Sequence, residues 1–251
     1  MRPPTGRRAF DWLIARPIAH RGLHDAKRGV VENTRSAFAA AMASNYAIEC
    51  DVQLTADGEA VVFHDDTLDR LAMAQGPLIA RTSAELTSIT LRGSTDRIGT
   101  LADLLGEVRG RVALIIELKS AWNGNVALAL RALQLLRSYS GPCALMSFDP
   151  DLIEVLGCEP RIPRGIVAER VTRSEWQALP LARRLELRHL RHWQRTLPHF
   201  ISFDAGGLPW PPVTQLRAAG LPVITWTVRS EDEAAAVRRY CDQITFEGFL
   251  P

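Results

Sequence analysis

One rhythm constrains this chain more than any other feature. Eight short runs rich in β-branched and aromatic residues recur along it, at 16–20, 47–54, 112–119, 143–148, 164–168, 199–204, 222–228 and 242–247. Between them lie Ala/Leu/Arg-rich stretches of helical period, such as NTRSAFAAAMAS, NVALALRALQLLRSY and SEDEAAAVRRY. Strands that alternate with helices pair in parallel, and eight such units close into an α/β fold, the (β/α)8 TIM barrel. A length of 251 residues suits one such barrel, so the expected organisation is a single domain over 1–251.

Two departures from the rhythm refine this expectation. The run EAVVFH (59–64) follows the turn signal TADG and is expected to fold back on 47–54 as a hairpin. Residues from about 65 to 100 then break the alternation and read as a small insertion after that hairpin, over one end of the barrel. The basic N-terminus imitates a signal peptide, but Asp11 and Arg16 interrupt its apolar part and no small-residue cleavage pattern follows. No window has the length of a transmembrane segment, so a cytoplasmic protein is expected. The net charge of +2 gives no argument for nucleic acid. Cys50, Cys143, Cys158 and Cys241 lack CxxC spacing and are expected as reduced, buried thiols.

Chemistry-bearing residues gather at the ends of the strand runs. Residues two apart on a strand share a face, which makes Glu49 and Asp51 neighbours, and likewise Glu117 and Lys119. Three carboxylates there are costly to bury without positive charge, and their hard oxygens suit a divalent metal, Mg²⁺ or Ca²⁺. His20 ends the first run and is followed by Arg21; His64 ends EAVVFH and is followed by Asp65 and Asp66. In a (β/α)8 barrel all these positions converge on one face. Singly, each reads better as a surface ion pair or a structural histidine. Together they describe a site for an anion and a metal.

In order and spacing, IAHRG, ENTRSAF, IECDVQLTADGEAVVFHDDTLDRL, IIELKS, SFD and VITWTVR resemble the successive motifs of the glycerophosphodiester phosphodiesterase family. The similarity runs from about residue 16 to the C-terminus, and the insertion after His64 matches the extra segment of that family. The resemblance implies a metal-dependent hydrolase that cleaves a small-molecule glycerophosphodiester to glycerol 3-phosphate and an alcohol. It implies His20 and His64 as the general acid/base pair and Glu49, Asp51 and Glu117 as metal ligands. Arg21 and Lys119 match the phosphate-holding groups, and Trp226 and Phe148 the aromatic lining of the substrate pocket. Glu32 and Asn33 match a motif next to the metal, with Asn33 in a supporting role. Attack by water and attack by the neighbouring glycerol hydroxyl both stay open, as does the alcohol released.

Some positions depart from the family pattern. Ala72 stands where threonine is usual, Gly99 where proline is common, and Glu247 where many members carry aspartate. Glu247 is expected as a barrel-end carboxylate bound to loop backbone, without a role. The segment 182–195 holds five arginines and two histidines and is expected as a solvated helix face rather than a dock for lipid headgroups. His24, His189, His192 and His199 have no motif context. Two other functions use the same residues: a lysophospholipase D-type hydrolase, which needs an apolar groove beside the metal, and a barrel that binds glycerophosphodiesters without turnover. The sequence leaves the oligomeric state open.

Overall fold

The computed structural model describes residues 10–172 and 174–251, with Glu175 described by its backbone alone. Its strands are β1 (Ile18–Ala19), β2 (Ala47–Leu54), β3 (Ala60–Val62), β4 (Gly99–Thr100), β5 (Leu114–Leu118), β6 (Cys143–Ser147), β7 (Arg164–Ala168), β8 (Phe200–Asp204), β9 (Val223–Val228) and β10 (Gln243–Phe246). The helices are α1 (Arg35–Ala43), α2 (Ser83–Ser88), α3 (Leu101–Val108), α4 (Ala127–Leu136), α5 (Pro150–Val155), α6 (Leu181–Arg188), α7 (Trp193–Thr196), α8 (Pro211–Ala218) and α9 (Glu231–Val237). Because β1 pairs in parallel with both β2 and β10, strands β1, β2 and β5 to β10 close into an eight-stranded parallel barrel. The expected TIM barrel is the fold observed. The first strand is shorter than the run 16–20, since Pro17 has no N–H to give to a ladder.

The expected hairpin is present: β3 pairs antiparallel with β2, Val52 facing Val62, and β4 adds to its outer side. Gly58 turns the chain with φ +78°, in the left-handed region where a Cβ is penalised. Residues 65–100 carry α2 and gather a small core of their own, in which Leu68, Ala72, Leu78, Leu86 and Leu91 pack on Val61 and Phe63. Ala72 is fully buried there, whereas Gly99 has open space beside its Cα.

The alternation of side chains divides the barrel into two apolar layers. Ile48, Cys50, Val52, Leu114, Ile116, Leu145, Ile166 and Ile201 face outward and pack with the helices. Ile18, Ala47, Ile115, Ala144, Met146, Val167, Phe200 and Ile224 point inward, and Leu13 joins them from the 3-10 turn Asp11–Leu13. Toward the C-terminal ends the inward column changes character. Ala47 gives way to Glu49 and Asp51, Ile115 to Glu117 and Lys119, Ile18 to His20, and Ile224 to Trp226. Strands β1, β2, β5 and β9 thus have an apolar floor beneath what they present at their ends, whereas β10 turns Gln243 and Thr245 inward beneath Glu247.

Three of the four free cysteines are buried as expected, and Cys158 is exposed. The basic segment is in part the solvated face expected of it, with Arg188, His189 and Arg191 exposed, and in part tied down. Arg183 and Arg195 are tied to Asp151, at 2.8 and 2.9 Å, and Arg195 also reaches Glu154 at 2.7 Å. Leu187, Leu190 and His192 are buried. Glu186 of the segment pairs with both arginines, and the rest of the acid comes from α5, which the local composition of 182–195 does not include.

The inner layer closes where Gly165 leaves room for a ring. A Cβ on Gly165 would lie 2.3 Å from the Phe200 ring. Gly165→Ala is therefore expected to destabilise the fold by about 1–3 kcal/mol through overpacking, read as a lower urea midpoint at unchanged m-value. An unchanged midpoint would mean that Phe200 repacks freely.

Candidate active site

The site begins with three buried carboxylates. Parallel pairing of β2 with β5 sets Asp51 beside Glu117, and the same face of β2 carries Glu49. One oxygen from each of Glu49, Asp51 and Glu117 lies within 4.8 Å of the others. The Lys119 ammonium donates to both Asp51 Oδ1 and Glu117 Oε1 at 2.8 Å. The Arg21 backbone N–H donates to Glu49 Oε2 at 2.9 Å, and its guanidinium Nε is 3.4 Å from Asp51 Oδ2. Asn33 donates from Nδ2 to Asp51 Oδ2 at 2.9 Å and accepts the Asp51 backbone N–H at 3.2 Å. Arg21 and Asn33 both hold positive φ, 54° and 58°, near the start and the end of the β1–α1 loop.

Charge explains how the cluster survives burial. Desolvation drives the Glu49 carboxyl well above its ordinary range, with Asp51 and Glu117 adding to the effect. Desolvation pushes Asp51 the same way, but the Lys119 ammonium, with His64 and Arg21, outweighs it and holds Asp51 well below the carboxylate range. With all three carboxylates ionised, the two neighbouring cations leave one negative charge over, and Arg21 is shared with Glu32. Three hard oxygens carrying excess negative charge fit a divalent cation, so this group could hold a metal ion.

The two histidines stand at the edges of the cluster, each anchored through Nδ1. His20 Nδ1 lies 2.6 Å from Glu247 Oε2, and Glu247 Oε1 lies 2.8 Å from Arg229 Nε. Burial lowers the His20 pKa, opposed by its hydrogen bond to Glu247. His64 Nδ1 lies 2.8 Å from Asp65 Oδ1. Asp65 accepts from Arg70, which also donates to both oxygens of Glu32. Glu32 in turn accepts from Arg21 Nη1 at 2.6 Å. A chain of alternating charge thus runs from His64 back to the carboxylate cluster. Burial would raise the Asp65 carboxyl, but Arg70 and His64 hold it at about 2.

These groups open into one cleft of about 1010 Å³, at the upper end of the size of small-molecule sites. His20, Arg21, Glu49, Asp51, His64, Glu117, Lys119, Phe148 and Trp226 all line it, while Asn33 lies behind Asp51. The far wall is a run of aromatic rings: Trp226 packs on Phe148 at 5.6 Å, Phe148 on Trp176 at 5.5 Å, and Trp176 on Trp122 at 5.8 Å. From the insertion only Asp65 and Asp66 reach the cleft among the described residues. Its apolar stretch 71–80 is spent on its own core or, at Met73 and Ile79, on solvent, and forms no groove beside the carboxylates.

Sequence reasoning missed Glu247, Asp65, Arg70, Trp122 and Trp176. Glu247, expected on loop backbone, instead has its carboxylate on His20 and Arg229. A period-2 reading of QITFE would have placed it on the inward face with Thr245. Asp65 was visible as the neighbour of His64. Arg70, Trp122 and Trp176 lie in loops or irregular turns, where no periodicity predicts orientation.

Residues 20–243 match a family model described as the glycerophosphoryl diester phosphodiesterase family. The Bacillus subtilis protein YhdW, which bears a glycerophosphodiester phosphodiesterase name, is 28% identical over 235 residues, covering 88% of this chain and 89% of its own. A glycerophosphodiester phosphodiesterase of Caldanaerobacter subterraneus is 39% identical over 111 residues, covering 41% of this chain and 44% of its own. Among solved structures, an Oleispira antarctica phosphodiesterase in complex with the product sn-glycerol-3-phosphate superposes with a TM-score of 0.75 at 22% identity, covering 92% and 91% of the two chains. The Thermotoga maritima glycerophosphodiester phosphodiesterase gives 0.70 at 22%, covering 91% and 92%.

The carboxylate cluster makes a direct stability prediction. Lys119→Met removes the ammonium shared by Asp51 and Glu117 and is expected to cost about 3 kcal/mol or more by leaving buried charge uncompensated. Chemical unfolding in metal-free buffer measures it. A loss below about 1 kcal/mol would mean that Lys119 is not what allows the cluster to be buried.

Proposed function

The chain belongs to the glycerophosphoryl diester phosphodiesterase family and is a phosphoric diester hydrolase, and from that premise we propose a metal-dependent cleavage of glycerophosphodiesters to glycerol 3-phosphate and an alcohol. The observation that carries this reading is the placement of His20 and His64 around one buried group of three carboxylates, in one cleft.

In this reading Glu49, Asp51 and Glu117 would hold Mg²⁺ or Ca²⁺, and the bound ion supplies positive charge to the phosphoryl oxygens. Arg21 and Lys119 add fixed cations on the same side, where charge accumulates in the transition state. Asn33 keeps the Asp51 carboxylate oriented through its two hydrogen bonds. His20 and His64 divide the proton work: one takes the proton of the nucleophile, water or the neighbouring glycerol hydroxyl, and the other delivers one to the departing alkoxide. Phe148 and Trp226 offer an apolar wall to the glycerol or the leaving alcohol. The chain acts as one domain over 1–251, with about 65–100 an insertion that anchors His64 through Asp65 and Arg70.

The test is glycerol 3-phosphate release from glycerophosphocholine, glycerophosphoethanolamine and glycerophosphoglycerol. Activity is expected to vanish in EDTA and to return with Mg²⁺ or Ca²⁺. His64→Ala is expected to lower kcat by about 10²-fold or more while calorimetric metal affinity stays within about threefold. EDTA-resistant turnover would remove the metal from the mechanism, and full activity of His64→Ala would remove His64 from it.

A further inference from the structure

His20 reaches the cleft with one ring nitrogen already committed. We propose that Glu247 is the positioning residue for His20: it accepts a hydrogen bond from Nδ1–H, fixes that tautomer, and so presents Nε2 to the reacting atoms. This rests on the acid/base reading of His20 given above.

The barrel's closure brings the two residues together. Strand β1 is paired with β10 in the register Ile18–Thr245 and Ala19–Phe246, so the next step of both strands places His20 beside Glu247. The His20 backbone N–H continues that ladder onto Phe246 O at 3.0 Å. The inward column of β10, Gln243 and Thr245, ends on Glu247 as that of β1 ends on His20. The Nδ1–Oε2 separation of 2.6 Å is in the range of charge-assisted hydrogen bonds.

The chemistry of the carboxylate then decides the tautomer. The hydrogen bond with His20, with the His24 ring 3.6 Å away and the Arg229 guanidinium, holds Glu247 far below the ordinary carboxyl range, and Arg229 Nε occupies its other oxygen at 2.8 Å. An ionised carboxylate can only accept, so Nδ1 must carry the proton, and the lone pair of the neutral ring is on Nε2. Glu247 is not in the group of oxygens able to share an ion with Glu49, Asp51 and Glu117. Its contacts are with His20, His24 and Arg229, and of these His20 belongs to the proposed acid/base pair. His64 has the same arrangement, with Asp65 and Arg70 in the places of Glu247 and Arg229.

The experiment compares kcat and KM on glycerophosphocholine for the wild type, Glu247→Gln, Glu247→Asp, His20→Ala and the Glu247→Gln/His20→Ala double variant. Imidazole ¹⁵N spectra of the wild type and Glu247→Gln accompany it. Glu247→Gln is expected to lower kcat by about 10²-fold or more with KM within about threefold, and Glu247→Asp to recover part of the loss. On the His20→Ala background the same change is expected to cost less than about threefold, because Glu247 acts through the ring. The wild-type spectrum is expected to show His20 protonated at Nδ1, and Glu247→Gln to show the tautomers mixed. Equal losses on both backgrounds, or an Nε2–H tautomer in the wild type, would overturn the proposal. A fully active His20→Ala would overturn the acid/base reading instead, and the nitrogen spectra would still decide whether Glu247 fixes the ring.

Discussion

Three carboxylates within 4.8 Å of one another, in a protein interior, constitute the constraint to which the rest of the site answers. Like charges so close repel, and burial removes the water that would screen them. Lys119 bridges two of the three, Arg21 serves Glu49 with its backbone and Asp51 with its side chain, and Asn33 takes Asp51 from behind. The cations assigned to phosphate binding therefore already have a second task. They make the carboxylates tolerable, and in the proposed reaction the phosphate would meet groups held in place for electrostatic reasons.

The barrel makes this affordable by separating the two kinds of residue along β1, β2, β5 and β9. Ala47, Ile115, Ile18 and Ile224 fill the floor, and the next inward positions carry Glu49, Glu117, His20 and Trp226. Hydrophobic burial is concentrated below the groups that line the cleft, so the polar layer need not contribute to folding. The outward column, packed on the helices, runs apolar to the strand ends at Val52, Leu118 and Phe246.

Much of this was legible in the sequence because it depends on short-range order. Eight alternating strand and helix signals are enough to specify the barrel, and the strand-end positions of His20, Glu49, Asp51, His64, Glu117 and Lys119 follow from the same alternation. What was not legible depends on contacts distant along the chain. Glu247 lies 227 positions from His20, and only closure of β1 on β10 makes them neighbours. Arg183 and Arg195 of 182–195 are paired with Asp151 of α5, which no local count of charge includes. Trp122 and Trp176 come from connecting segments whose direction is set by the strands they join, so their rings complete the wall begun by Phe148 and Trp226 without any local signal.

Arg70 shows what this long-range order means for the insertion. One guanidinium holds Asp65, which anchors His64, and Glu32, which anchors Arg21. The segment after the hairpin is thus bolted to the loop after the first strand, across the mouth of the barrel. It is not an interchangeable cap. A chimera that took this segment from a relative would keep His64 tied to the loop after β1 only if its donor also placed an arginine over Glu32.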